Sequence, residues 1–351
     1  MTAALSSSHS PCALPLRLPD AEDPLALSLN ESPFAPLPTV RAAMVRAVDS
    51  VNRYPEFLPE RFRRLIARHL GFEEEQIIVG AGATGVVMQV LQGLTRPGDR
   101  IVMAAPTFDG YPIFAQMARL QTVTVPLDEQ GHHDLDAMAD AAADAEVVVV
   151  CRPHNPTGTV EAAEDLERFL QRIGSGTTVL LDEAYIEFVS PPHRIHPEFL
   201  LRRFPNVVVV RTFSKAYGLA GIRTGYGICS PAMGRALWSM QLPFGATVAS
   251  LAAVAASFEA EAQLRRRIKR LTAERDHLRS RLWEMGVWSA DTHANFVYLP
   301  AKGQLWPEAF DGTGPRVRLY SDGGARITVG NRQSTQAVLA TIAATLPTDA
   351  A

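Results

Sequence analysis

Three segments end in side chains whose types could act together. Lys215 lies in RTFSKAY (211–217), directly after the apolar run VVVV. An amine delivered from a buried strand is suited to forming a Schiff base with an aldehyde. Asp182 closes the run TTVLLD (177–182), with Tyr185 three residues on, and Asn155 follows EVVVVCRP (146–153). Each polar residue stands at the carboxyl end of a run that reads as a buried strand, where open α/β sheets hold their ligands. Ser214 and Arg223 add a hydroxyl and a guanidinium close to Lys215 in the chain. A fourth segment, GAGATG (80–85), is a glycine-rich turn between an apolar strand pattern and a helix pattern. Such a turn offers backbone N–H groups and a helix N-terminus to a phosphate.

These residue types fit pyridoxal phosphate. Its aldehyde needs an amine, supplied by Lys215. Its pyridine nitrogen needs a buried carboxylate to stay protonated as an electron sink, a role for Asp182. Its ring hydroxyl needs hydrogen-bond partners, suited to Asn155 and Tyr185. Its phosphate needs donors, and Ser214 and Arg223 supply a hydroxyl and a guanidinium. The rival reading takes GAGATG as a dinucleotide fingerprint, which requires an acidic residue at the end of the next strand. The candidate, Asp99, precedes the strand RIVMAA in the turn RPGD and reads as a turn residue. A dinucleotide-dependent oxidoreductase would also leave Lys215 and Asp182 without a role.

The elements that must position these residues alternate in type. Short strands rich in Val, Ile, Leu and Thr read over 76–80, 99–106, 122–126, 146–153, 177–183 and 206–214. Several are apolar at every residue, as strands covered on both faces are. Helical patterns separate them: 39–51 with Thr39 as cap, 60–71 stopping at Gly71, 86–94, and 162–173. The expected fold is α/β, with a large domain built on a mostly parallel sheet flanked by helices. One long helical region over 248–285, apolar first and charged later, leads to a smaller α+β unit with strands over 295–300, 315–320 and 325–330. The expected division is an N-terminal arm (1–26), a large domain (27–247) whose first residues pack with the small domain, and the interdomain helix with the small domain (248–351).

Composition narrows the functional classes. Of 351 residues, 47% are hydrophobic and 20% charged, so the chain can bury a sizeable core. The formal net charge of -3 gives no basic field for nucleic acid, and the run 265–270 reads as a solvated helix face. Three scattered cysteines (Cys12, Cys151, Cys229) form neither a disulfide framework nor a metal set. His132, His133 and His154 lack ligand spacing and read as surface or packing residues. No apolar run is long enough to span a membrane and no secretory signal is evident, so a cytoplasmic location is expected.

The ordered motifs LSLNESPFAPLPTV, NRYPE, GAGATG, RPGDRIVMAAPTFDGY, HNPTG, LLDEAYIEF, VVVVRTFSKAYGLAGIRTGY and ARITVG run from residue 27 to 330. In them the chain resembles the fold-type I pyridoxal-phosphate aminotransferases of the histidinol-phosphate aminotransferase family, closest to the aromatic, phenylalanine-type branch. The resemblance implies that Lys215 anchors the cofactor and moves the proton, that Asp182 pairs with the ring nitrogen, and that Asn155 and Tyr185 bind the ring hydroxyl. It implies that Phe108 stacks on the ring, where the family usually has tyrosine. The backbone of Gly82 and Ala83, with Ser214 and Arg223, would hold the phosphate. Tyr54 would reach that phosphate from the second subunit of a homodimer. Arg326 would grip the substrate carboxylate, Arg318 a distal anionic group, and Asn30 lies in a segment lining the site.

Two departures stand out. The family's asparagine and acidic positions in the phosphate loop are absent from GAGATG, so side-chain contacts to the phosphate are expected to be fewer. The upstream tyrosine that helps meet a substrate phosphate is also missing, with only Arg17 in that neighbourhood. The expected activity is ping-pong transamination from an aromatic amino acid, with histidinol phosphate as the next candidate donor, to a 2-oxo acid such as 2-oxoglutarate. Alternatives are a threonine-phosphate-decarboxylase-like or lyase reaction, or a specialised biosynthetic aminotransferase. A transcription regulator on the same fold would need a DNA-binding domain, for which the chain has no room.

Overall fold

The computed structural model describes residues 18–312 and 314–346. Arg17 and Cys12 lie outside the described residues. Seven strands form the larger sheet: β2 (Ile77–Gly80), β3 (Arg100–Ala105), β4 (Gln121–Pro126), β5 (Val147–Cys151), β6 (Thr178–Asp182), β7 (Val207–Thr212) and β8 (Gly225–Ile228). They follow β1 (Ala26–Leu27) in the chain, and their spatial order is β2-β8-β7-β6-β5-β3-β4. Only β8 runs against the others, pairing antiparallel with both β2 and β7. Every residue of β5 and β6 is buried. Alternate residues point to opposite layers: Val148, Val150, Val179 and Leu181 belong to one core, Val147, Val149 and Leu180 to the other. Helices on both faces explain why these runs are apolar throughout rather than alternating.

Strand β8 is absent from the sequence reading because half of GYGI is glycine, a weak strand former. The structure supplies the reason for the glycines. A Cβ at Gly225 would lie 2.5 Å from the Ala83 nitrogen, and one at Gly227 3.0 Å from Val86 Cγ1. The strand must be bare for the helix Gly82–Leu94 to pack onto it. That helix starts four residues earlier than the apolar pattern suggested.

Other details correct the expectations. The helix Pro38–Val48 is entered through Pro38, with Leu37 at the N-cap position and no side-chain cap, so Thr39 is not its cap. A proline's fixed φ and missing N–H suit the first helical position. Gly71 does end the helix Glu60–Leu70, in the left-handed conformation at φ 77. The expected single helical region over 248–285 is two helices, Val248–Glu259 and Glu261–Glu284, interrupted at Ala260 (φ -100, ψ 18). Nothing in the local sequence explains that break.

The smaller sheet orders β1, β10 (Arg316–Leu319), β11 (Ala325–Thr328) and β9 (Phe296–Leu299). The two residues of β1 pair parallel with β10, which ties the start of the described chain to its C-terminal part. This sheet packs against Leu271, Leu278 and Leu282 of the long helix and Val338 and Ile342 of the last one. Tyr185 and Ala216, from the loops after β6 and β7, share that core. The two sheets thus meet where the candidate residues stand.

Candidate functional site

The carboxyl ends of β2, β3, β5, β6 and β7 face one side of the larger sheet, and β8, running the other way, begins there. Five loops from these ends, one of them joining β7 to β8, surround a pocket of about 390 Å3. Ala83, Phe108, Asn155, Asp182, Tyr185, Ser214, Lys215 and Arg223 all line it. These residues, of which Ala83 and Arg223 stand 140 apart in sequence, converge because the crossovers return each parallel strand's carboxyl end to the same edge.

Lys215 donates from Nζ to the Leu29 carbonyl at 2.9 Å, and its ammonium lies 5.7 Å from the centre of the Tyr185 ring. Burial lowers its pKa to about 8, and the nearby charges of Arg326 and Arg223 push in the same direction. A lysine so poised offers a free amine far more readily than an exposed one. Asp182 is 5% exposed. Its Oδ1 accepts from the Ala184 N–H at 2.9 Å and its Oδ2 from the Tyr111 hydroxyl at 2.6 Å. Burial raises its pKa, and those two hydrogen bonds oppose the rise.

Gly82 opens its helix at φ 76, and a Cβ there would lie 2.4 Å from an Arg223 nitrogen. Glycine therefore permits both the left-handed backbone and the close approach of the guanidinium. Arg223 reaches Ser214 Oγ at 3.3 Å, Thr84 Oγ1 at 3.4 Å and the carbonyls of Ala81 and Ala220. Hydroxyls, a guanidinium and the N–H groups of a helix start gather at one point, which is the donor set a phosphate monoester takes. The Thr84 hydroxyl was not recognised in the sequence; it places a polar group in the turn despite the missing asparagine and acidic residue.

Arg326 sits behind the pocket, 7% exposed. It donates to Asn155 Oδ1 at 2.5 Å and to the Ser28 carbonyl at 2.6 Å, and its buried Nε has no partner. Asn30, in the left-handed conformation at φ 55, donates from Nδ2 to the Tyr185 hydroxyl at 2.9 Å. Its backbone N–H donates to Thr328 Oγ1 at 2.9 Å. The segment 28–31 and β11 therefore close one wall of the site together. Arg318 pairs in register with Arg326 on the neighbouring strand, and its guanidinium binds Asp109 Oδ2 at 2.7 Å.

Tyr54 does not join the pocket of its own chain. It is 83% exposed, with its ring 4.8 Å from that of Phe244. Val45, Val48, Val51, Phe57 and Leu242 are also exposed apolar side chains. The chain's other candidates settle into structural places. The thiols of Cys151 and Cys229 are buried and free. Asp99 caps its turn, accepting from the Arg96 N–H at 2.6 Å. In the basic run, Arg267 and Arg270 lie over the Phe34 ring. His133 and Glu161 form a buried pair at 2.7 Å, and His154 bonds the Pro106 carbonyl at 3.0 Å. Among the described residues, no helix is long and apolar enough to cross a membrane.

The residues fit pyridoxal phosphate on three observations. Lys215 has a lowered pKa, Asp182 is buried without a cationic hydrogen-bond partner, and Arg223 fills the space a Cβ at Gly82 would take. Residues 22–332 match the family described as aminotransferase class I and II. The chain is 40% identical over 311 residues to an aromatic amino acid aminotransferase of Streptomyces avermitilis, covering 88% of this chain and 87% of the relative. It is 39% identical over 312 residues to one from Cutibacterium acnes, covering 88% and 89%. Its fold is similar to a histidinol-phosphate aminotransferase of Sinorhizobium meliloti in complex with pyridoxal-5'-phosphate. The TM-score is 0.84 at 24% identity, over 96% of this chain and 97% of that one.

Proposed function

The chain belongs to the aminotransferase class I and II family, and from that premise we propose that it transfers the amino group of an aromatic L-amino acid to a 2-oxo acid with pyridoxal phosphate as cofactor. The observation that carries the reading is the convergence of Lys215, Asp182 and Arg223 on one pocket. The cofactor, when bound, supplies an aldehyde for the donor's amine and a ring that accepts the electrons released at Cα. Lys215 would hold the cofactor's aldehyde through Nζ and, once the donor's amine has taken its place, would carry the Cα proton on that same nitrogen. Asp182 would supply the negative charge that keeps the ring nitrogen protonated. Arg223, Ser214 and the start of the helix Gly82–Leu94 bind the phosphate. Arg326 binds the donor's carboxylate, its orientation set by Asn155 and Ser28. Phe108, which lines the pocket, would supply the apolar surface against which the cofactor's ring packs.

Two observations support an aromatic donor over a phosphorylated one. The relatives that match over most of the chain are named for aromatic amino acids. Arg318, the arginine expected to meet a distal anion, is already held by Asp109 at 2.7 Å. A phosphate arriving there would have to displace a carboxylate. The segment carrying Tyr54 and its exposed apolar neighbours supports a homodimer in which that face is covered.

The test is a donor screen with 2-oxoglutarate as acceptor, comparing phenylalanine, tyrosine, histidine and histidinol phosphate. Phenylalanine and tyrosine should give the highest kcat/KM. A preference for histidinol phosphate would refute the aromatic reading, and carbon dioxide release without an oxo-acid product would refute transamination.

A further inference from the structure

The loop after β3 delivers two aromatic rings by one device. Phe108 lines the pocket, and Tyr111, three residues on, turns inward at the start of the helix Gly110–Met117. The two rings meet edge to face with centres 5.3 Å apart. Gly110 between them carries no side chain because a Cβ would lie 2.4 Å from the Phe108 ring. The turn thus fixes Tyr111, 2% exposed, so that its hydroxyl meets Asp182 Oδ2 at 2.6 Å. No other side chain donates to this carboxylate among the described residues; the remaining bond is the Ala184 N–H. Cys151, its register neighbour on β5, turns its thiol to the Pro153 carbonyl instead. A buried carboxylate with only neutral donors is stabilised as an anion by them, yet keeps its negative charge unpaired. That is the state in which it serves a cation best.

We propose that Tyr111 is a positioning residue that holds the Asp182 carboxylate, as an anion and in one rotamer, for partnership with the ring nitrogen of a pyridine cofactor. The proposal rests on the pyridoxal-phosphate reading above. Tyr111 touches Asp182 and acts on the cofactor through it. Without the hydroxyl, Asp182 protonates more readily and the protonated ring nitrogen loses its counter-charge.

Tyr111→Phe keeps the ring and removes only the donor. Equilibrium binding to the apo protein is measured for pyridoxal phosphate and for its benzene-ring analogue, which retains aldehyde and phosphate but lacks the nitrogen. Circular dichroism checks that the fold is kept. We expect the variant to bind pyridoxal phosphate about ten-fold or more weakly, the scale of one lost hydrogen bond to a charged group, with the deficit growing as pH falls. Binding of the benzene-ring analogue should be unchanged. In an Asp182→Asn background, Tyr111→Phe should cause no further loss. Equal losses for both ligands would overturn the proposal, since a merely structural role moves both. Wild-type binding with an indifferent variant would overturn it alone. Failure of the wild type to bind pyridoxal phosphate would overturn the cofactor reading and this proposal with it.

Discussion

Substituting Gly82 by alanine separates what this residue does for the fold from what it does for the phosphate site. The backbone there is left-handed at φ 76, which costs an alanine about 1–2 kcal/mol. The new Cβ would also lie 2.4 Å from one Arg223 nitrogen and 3.1 Å from its central carbon. The guanidinium is the flexible partner in that contact, so it should swing away from Ser214 and Thr84. A displaced guanidinium loses a charge-assisted hydrogen bond to a phosphate, worth about 1.5–3 kcal/mol, or about 10- to 150-fold in affinity. Gly82→Ala should therefore lower the apo melting temperature modestly and weaken pyridoxal phosphate binding strongly. Calorimetric unfolding of the apo protein reads the first effect and titration with pyridoxal phosphate the second. The same substitution in an Arg223→Gln background should retain the loss of stability and add little loss of affinity. An affinity within two-fold of wild type, beside a lowered melting temperature, would refute the link between Gly82, Arg223 and the phosphate.

Lys215 and Glu161 give two predictions that depend on pH. The pKa of Lys215 is lowered from an ordinary 10.5 to about 8 by burial, so the rate of pyridoxal phosphate uptake by the apo protein should rise through pH 8. Between about 8 and 10.5 the unfolded chain binds more protons at this residue, so apo stability should gain with pH there, and Lys215→Met should lack that gain. Burial opposes ionisation of Glu161, but His133 at 2.7 Å overrides it and holds the carboxyl at about 2, below its ordinary 4.5. The resulting stability is present above pH 4.5 and lost as pH falls toward 2. Glu161→Gln should be destabilised by about 1–3 kcal/mol at pH 7. Its deficit should shrink below pH 4.5, measured as the melting-temperature difference from wild type. A constant difference would refute the pairing.

The sequence by itself determined which residues stand at the site's edge, and for a physical reason. A sheet covered on both faces demands uninterrupted apolar runs, so the polar residues that close them, Asp182 after VLL and Asn155 after VVVVCRP, mark the strand ends on sight. Lys215 and Ser214 follow a third such run. The glycines of GAGATG likewise declared a turn at a helix N-terminus, in which Gly82 takes the left-handed backbone. What sequence spacing could not supply were the contacts that crossovers and register create between distant segments. Tyr111 and Asp182 are 71 residues apart and meet only because β3 and β6 end on the same side. Asn155 and Arg326, 171 apart, come from different sheets. Arg318 could be placed on a strand, but its engagement by Asp109 appears only when β10 is laid against the loop after β3. Strand β8 was hidden because its glycines answer to the helix packed on it rather than to strand propensity. Local composition encodes where a chain must be buried. The pairing of one buried end with another is decided by the tertiary fold.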